Sequence, residues 1–356
     1  MSTATAPRAA PGGLLDALAG TDHKSVGARV FVTAFGFFLA AGVLAVLMRS
    51  ELAQPGLQLF SHQGYDELFT IHGSTMFYLF ASPIALGLGV WLVPLQIGAT
   101  GMKWGRLALA GWWLILVGGI VMWSGFFTAD GAFDSGWYAY VPLSEVTHTP
   151  GIGADFWVIG VLLAAAGSMA LAACILATVV TRRAPGMTML RLPVFTWTQV
   201  VTCLMTLTAY PALLVALGLL YADRLTQAGI YSAAHNGPLA YQHLFWFFGH
   251  PVVYVVFFPA LGAVAEAIAT FSGRRWFGYP WLVGSLLVFT ALSMSVWGHH
   301  MFTTGAIPNK YFSLTSTALL VPAGVEYFDS VATMWRGSIR FTASMLFALG
   351  FFALFL

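Results

Sequence analysis

The sequence predicts an all-α fold, a polytopic bundle of transmembrane helices, and three observations carry that prediction. Of 356 residues, 59% are hydrophobic and only 8% charged, whereas a soluble domain carries roughly 25% charged residues. The apolar residues fall into blocks long enough for helices that cross a bilayer, which takes about 20 residues. Lys and Arg collect on alternate sides of those blocks, as the positive-inside rule requires.

Nine spans are expected, at roughly 30–48, 67–97, 105–127, 153–181, 193–221, 242–271, 277–301, 311–331 and 341–356. Blocks longer than a minimal span imply tilt or extension past the hydrocarbon. Residues 1–20 are rich in Ala, Pro and Gly and lack the apolar core of a signal peptide, so they read as a disordered cytoplasmic tail. With the N-terminus inside, twelve Lys and Arg lie on inner segments and three, Arg49, Arg224 and Lys310, on outer ones. A net charge of +2 without any basic run argues against nucleic acid as a partner. Cys174 and Cys203 lie within apolar stretches at no metal-binding spacing and read as small core residues. With no inverted repeat to support it, a plain transporter is the weakest functional reading.

Against this apolar background, four histidines stand in or beside spans: His72, His250, His299 and His300. Ionisable residues in a bilayer are expensive and mark functional sites. Taking the spans in alternating directions places all four in the outer half of the membrane. His250 lies eight residues past Gln242, roughly 12 Å along the helix. His299 and His300 are adjacent, about 100° apart on a regular helix, so they share an ion only at a helix end or distortion. His250 on the preceding span is the natural third ligand, and three imidazoles with an open position suit copper. Tyr254 follows His250 by four residues and shares its face. The bland alternative is a set of histidines that merely hydrogen-bond between helices. Arg49 and Glu51 flank the outer end of the first span and read equally as snorkelling anchors.

These residues stand in blocks that resemble subunit I of the haem–copper terminal oxidases. The blocks include TDHKSVG at 21–27, RSELAQPG at 49–56, YDELFTIHGSTM at 65–76 and GWYAYVPLS at 136–144. HLFWFFGHPVVY at 243–254, LSMSVWGHHMFTTGA at 292–306 and TMWRG at 333–337 follow in order. The resemblance covers 21–356 as one membrane domain and implies two haems and one copper ion. His250, His299 and His300 would hold the copper, with Tyr254 bonded to His250. His72 would be one axial ligand of the low-spin haem, Arg49 would face its formyl group, and Trp137 its propionates. The implied reaction is reduction of O2 to water with electrons from cytochrome c or quinol. The implied setting is a bacterial inner membrane, with lipid and oxidase subunits II and III as partners.

The sequence departs from the family in two places. The family has about twelve spans, and the helix carrying the remaining two haem-ligand histidines, including the high-spin haem's proximal ligand, would follow residue 356. A fragment or early stop is therefore expected. The proton routes also differ. Val90, Gly101 and Ala108 stand where the family has Asn, Asp and Asn, and Val252 replaces the glutamate of HPEVY. In place of PTGVK the chain has PAGVE, which puts Ala323 and Glu326 where Thr and Lys are usual. These departures count against pumping by the route between spans 2 and 3 and leave Glu326 as the candidate proton-route residue toward Tyr254. Two alternatives are a nitric oxide reductase relative, which Val252 and Tyr254 oppose, and a non-catalytic paralogue that keeps the fold as an assembly partner.

Overall fold

The computed structural model describes residues 18–355, all of whose regular elements are helical. The expected tail lies almost wholly outside the described residues. Seven helices are long and apolar enough to cross a membrane. They are α1 (His23–Glu51), α2 (His62–Gln96), α3 (Gly105–Phe127), α4 (Ile152–Thr181), α5 (Val194–Thr226), α6 (Gly237–Ser272) and α7, which runs as Tyr279–Thr304. After them come α8 (Asn309–Ala318), α9 (Leu320–Met334) and α10 (Ala343–Phe355).

The eighth expected span is thus one apolar block but two helices, parting at Leu319. Pro322 explains the break, because it has no N–H to offer the carbonyl of Ala318, four residues back. The ninth block forms a helix of 13 residues within the described part. Helix ends also reach past the apolar blocks, since polar residues finish them. Asp22 caps α1 by accepting from Lys24 N and Ser25 N, a contact typical of helix N-termini. Within α2, Thr75–Ala81 is π-helical. It precedes Pro83, which leaves the Leu79 carbonyl without its usual donor.

Close packing of α3 on α4 rests on glycine. A Cβ on Gly118 would lie 2.6 Å from the Gly160 carbonyl, and one on Gly167 2.5 Å from the Gly111 carbonyl. Helices in membranes associate through such small-residue faces, where backbones touch.

Two outer-end charges are structural. Glu51 is not a snorkelling anchor: it is 1% exposed and accepts from the backbone N–H groups of Gln58, Leu59 and Phe60 at 2.7–2.9 Å. Arg224, 5% exposed, donates to Asp155 Oδ1 at 2.7 Å and to the carbonyls of Ser144, Thr149 and Gly151. It therefore fastens the loop between α3 and α4, which carries Trp137, over the outer end of the bundle.

Candidate metal centre

α7 loses its α-helical form after Ser293 and continues as a 3-10 turn over Trp297–Thr304. That change of winding presents His299 and His300 together, their ring centroids 4.4 Å apart. His250 comes from the buried face of α6, with centroids 4.3 Å from His299 and 5.3 Å from His300. One ring nitrogen from each of the three lies within 4.8 Å of the other two.

The atomic geometry fits one ion. His250 Nδ1 and His300 Nε2 face each other at 3.1 Å. With metal–nitrogen bonds of roughly 2 Å, that spacing corresponds to an angle of about 100° at the metal. His299 has its tautomer set from behind. Ser316 Oγ donates its only hydrogen to the Phe312 carbonyl at 2.5 Å, so at 2.7 Å it accepts from His299 Nδ1–H. Nε2 of His299 is then the free ligand atom, the arrangement by which a neighbouring group orients a metal-binding histidine. His300 stacks on Trp246, centroids 3.9 Å apart and planes 4° from parallel, and Trp246 Nε1 donates to the Tyr140 hydroxyl. His250 Nε2 is buried without a hydrogen-bond partner among the described residues, and the Tyr254 ring meets His250 edge-on at 4.7 Å.

Ser316, Trp246 and Tyr140 did not figure among the sequence candidates. Trp246 stands four residues before His250, so helical phase placed it on the same face. Ser316, 17 residues beyond His299, carries no signal in the sequence.

His72 lies apart, half-buried on α2, with Nδ1 2.9 Å from the Ala41 carbonyl of α1. A carbonyl only accepts, so this nitrogen carries the hydrogen and Nε2 is left as a ligand atom. A single free imidazole nitrogen of this kind suits an iron ion as a ligand. Arg49 is exposed, eight residues beyond Ala41 on α1, about 12 Å further out along the axis. Trp137 packs against Gly73 and stacks on Phe77 at 4.5 Å. On the inner side, Val90, Ala108 and Val252 are buried, and nothing lies within 4 Å of a Cβ built on Gly101. Glu326 is 1% exposed on α9, and neither carboxylate oxygen has a partner among the described residues.

Residues 25–356 match the family described as cytochrome c and quinol oxidase polypeptide I. A putative cytochrome c oxidase subunit 1-beta of Streptomyces coelicolor is 48% identical over 336 residues, 94% of this chain and 59% of that relative. The cytochrome c oxidase subunit 1 of Corynebacterium efficiens is 47% identical over 337 residues, 94% of this chain and 58% of the relative. A probable subunit 1-beta of Nocardia farcinica is 46% identical over 336 residues, 94% and 57% of the two chains. The chain spans somewhat under three fifths of the length of these relatives. It belongs to the cytochrome c and quinol oxidase polypeptide I family, whose cofactors in general are haem and copper.

Proposed function

From that membership we propose that the chain supplies the oxygen-reducing centre of a respiratory terminal oxidase, reducing O2 to water with electrons from cytochrome c or quinol. The observation that carries this reading is the convergence of His250, His299 and His300 on one point. These three would hold copper, a nitrogen-rich set that this metal favours. Bound haem and copper supply the redox chemistry that reduces oxygen.

The chain's own groups hold and move protons around that centre. Ser316 fixes which nitrogen of His299 carries hydrogen, and Trp246 holds the plane of His300. Tyr254, whose ring meets His250 edge-on beside the orphaned Nε2, is placed to give up its phenolic proton. His72 would help hold the low-spin haem through Nε2, and Arg49 and Trp137 would bind its polar substituents. Glu326 is the proton carrier on the inner side, because an unpartnered buried carboxyl can hold and release a proton where Val90, Gly101, Ala108 and Val252 cannot. Pumping through the mouth between α2 and α3 is not expected.

The relatives are named as subunit 1 of an oxidase, which supports a multi-subunit complex in a bacterial inner membrane, with subunits II and III as the expected partners. Neither a nitric oxide reductase nor a non-catalytic paralogue is favoured by these names. The deciding measurement is copper content per complex, using the full gene product extracted from its membrane. His299→Ala should lose the copper of this centre, whereas wild-type copper content in that variant would remove the assignment.

A further inference from the structure

The 3-10 turn that carries His299 and His300 is longer than such turns usually are. It runs for eight residues, Trp297–Thr304, whereas this winding is poorly hydrogen-bonded and uncommon beyond three or four. A turn of that length keeps its shape only where neighbouring elements hold it. Ser316 of α8 holds it behind His299, and Trp246 of α6 holds it against His300. A third hold lies at its first residue.

Trp297 is lodged between α6 and α8. Its ring meets Phe247 of α6 and Phe312 of α8 edge-on, each at 5.3 Å. Its Nε1 donates to His243 Nδ1 at 3.2 Å. Gly298 follows against the same Phe312, where a Cβ would come within 2.5 Å of the ring. An indole N–H can only donate, so His243 Nδ1 keeps its lone pair, and the hydrogen of that neutral ring sits on Nε2.

His243, Trp246, Phe247 and His250 stand on α6 at spacings of three and four, which puts them on one face. They span roughly 10 Å of helix. The first of them holds Trp297, the second stacks on His300, and the last is itself the third imidazole of the centre. One face of one helix therefore sets both His250 and the segment that bears the other two. That segment matters because α-helical winding would set His299 and His300 about 100° apart. A grip at Trp297 opposes such rewinding where the turn begins.

We propose that His243 is a positioning residue for the His250–His299–His300 centre. By accepting from Trp297 Nε1 it anchors the start of the turn and keeps both following imidazoles directed at His250. It acts through Trp297 and not as a ligand. The proposal rests on the copper reading of that centre.

The test is copper retention against a graded chelator, read on the intact purified complex. His243→Leu removes the acceptor, and Trp297→Phe removes the donor while keeping an aromatic ring between Phe247 and Phe312. Each should lower retention about tenfold, the lower end of the loss expected when support behind a metal-binding histidine is removed. The double variant should match either single one, since all three lack the same bond; losses that multiply would mean that the two residues act separately and would overturn the proposal. His243→Asn offers an amide oxygen in place of Nδ1 and should restore most of the retention that His243→Leu loses. An Asn variant as poor as the Leu variant overturns the acceptor role. His235→Leu is the control, because His235 is exposed on the loop before α6 and its ring meets Ser232 Oγ; it should match wild type. Where His243→Leu fails to assemble, Trp297→Phe decides alone, and wild-type retention in that variant overturns the proposal. A wild-type complex without copper, or His299→Ala with as much copper as wild type, removes the copper reading instead, whatever the His243 variants give.

Discussion

Replacing Ser316 with alanine tests how the proposed copper ligands are oriented. Ser316 is not a ligand, yet it decides which nitrogen of His299 is free. Its hydroxyl gives its hydrogen to the Phe312 carbonyl and receives that of His299 Nδ1 at 2.7 Å. Without it, the half-buried imidazole can turn about its side chain and populate the other tautomer, so the productive arrangement becomes one of several. Removing such a partner behind a metal-binding histidine lowers affinity about 10–100-fold, equal to ~1.4–2.7 kcal/mol.

The assay is copper retention against a graded chelator, read on the purified complex beside His299→Ala and Thr317→Val. Thr317, exposed one residue further along, bonds only the Ser313 carbonyl. Ser316→Ala should fall between wild type and His299→Ala, and Thr317→Val should match wild type. Copper retention in Ser316→Ala within twofold of wild type would refute the tautomer argument. Loss as complete as in His299→Ala would mean that Ser316 does more than orient.

Two other outcomes follow from buried charges. Arg224→Gln strands Asp155 and three carbonyls that Arg224 now serves, and breaking a buried pair costs about 3–5 kcal/mol. A lowered melting temperature and faster proteolysis between α3 and α4 are expected, and an unchanged melting temperature would contradict the clamp. Glu326→Ala in the complete oxidase should slow oxygen reduction, while Gly101→Ala, in open space, should leave it unaltered; equal rates in the two variants would exclude Glu326 from proton delivery.

The spans were legible because a bilayer forces every backbone group to be satisfied within its own helix, which makes length and hydropathy sufficient evidence. The meeting of His250 with His299 and His300 was legible for a related reason: adjacent histidines need a change of winding, and α7 changes winding there. What failed was local. Glu51 looked like an interfacial anchor because nothing in RSELAQPG tells that residues 58–60 fold back to offer it three N–H groups. Pro322 sat in plain view inside an apolar block, but hydropathy averages over a proline and so missed the break at Leu319. The glycines at the α3–α4 contact recur at seven-residue spacing, 111 and 118 facing 160 and 167. Among 38 glycines that regularity was too common to single out. Ser316 was illegible in principle, because its role depends on where two separate helices meet.

Helical phase on α6 separates the face that carries His250 and Tyr254 from the face that carries Val252. His250 and Tyr254 are four residues apart and share one face. Phe248 and Val252 are also four apart, but Phe248 lies about 200° from His250. α9, with Glu326, packs against α6 and α7, the helices that carry the histidine triad. Tyr210 of α5 meets α6 at Phe248, on the other face. A valine at position 252 leaves the middle of that face without a carboxyl; Glu266, fourteen residues further along α6, is spent at the inner end, where it accepts from Phe195 N of α5. On the proposed reading, a proton for oxygen reduction would therefore pass Glu326 toward Tyr254, because position 252 offers no group to hold one.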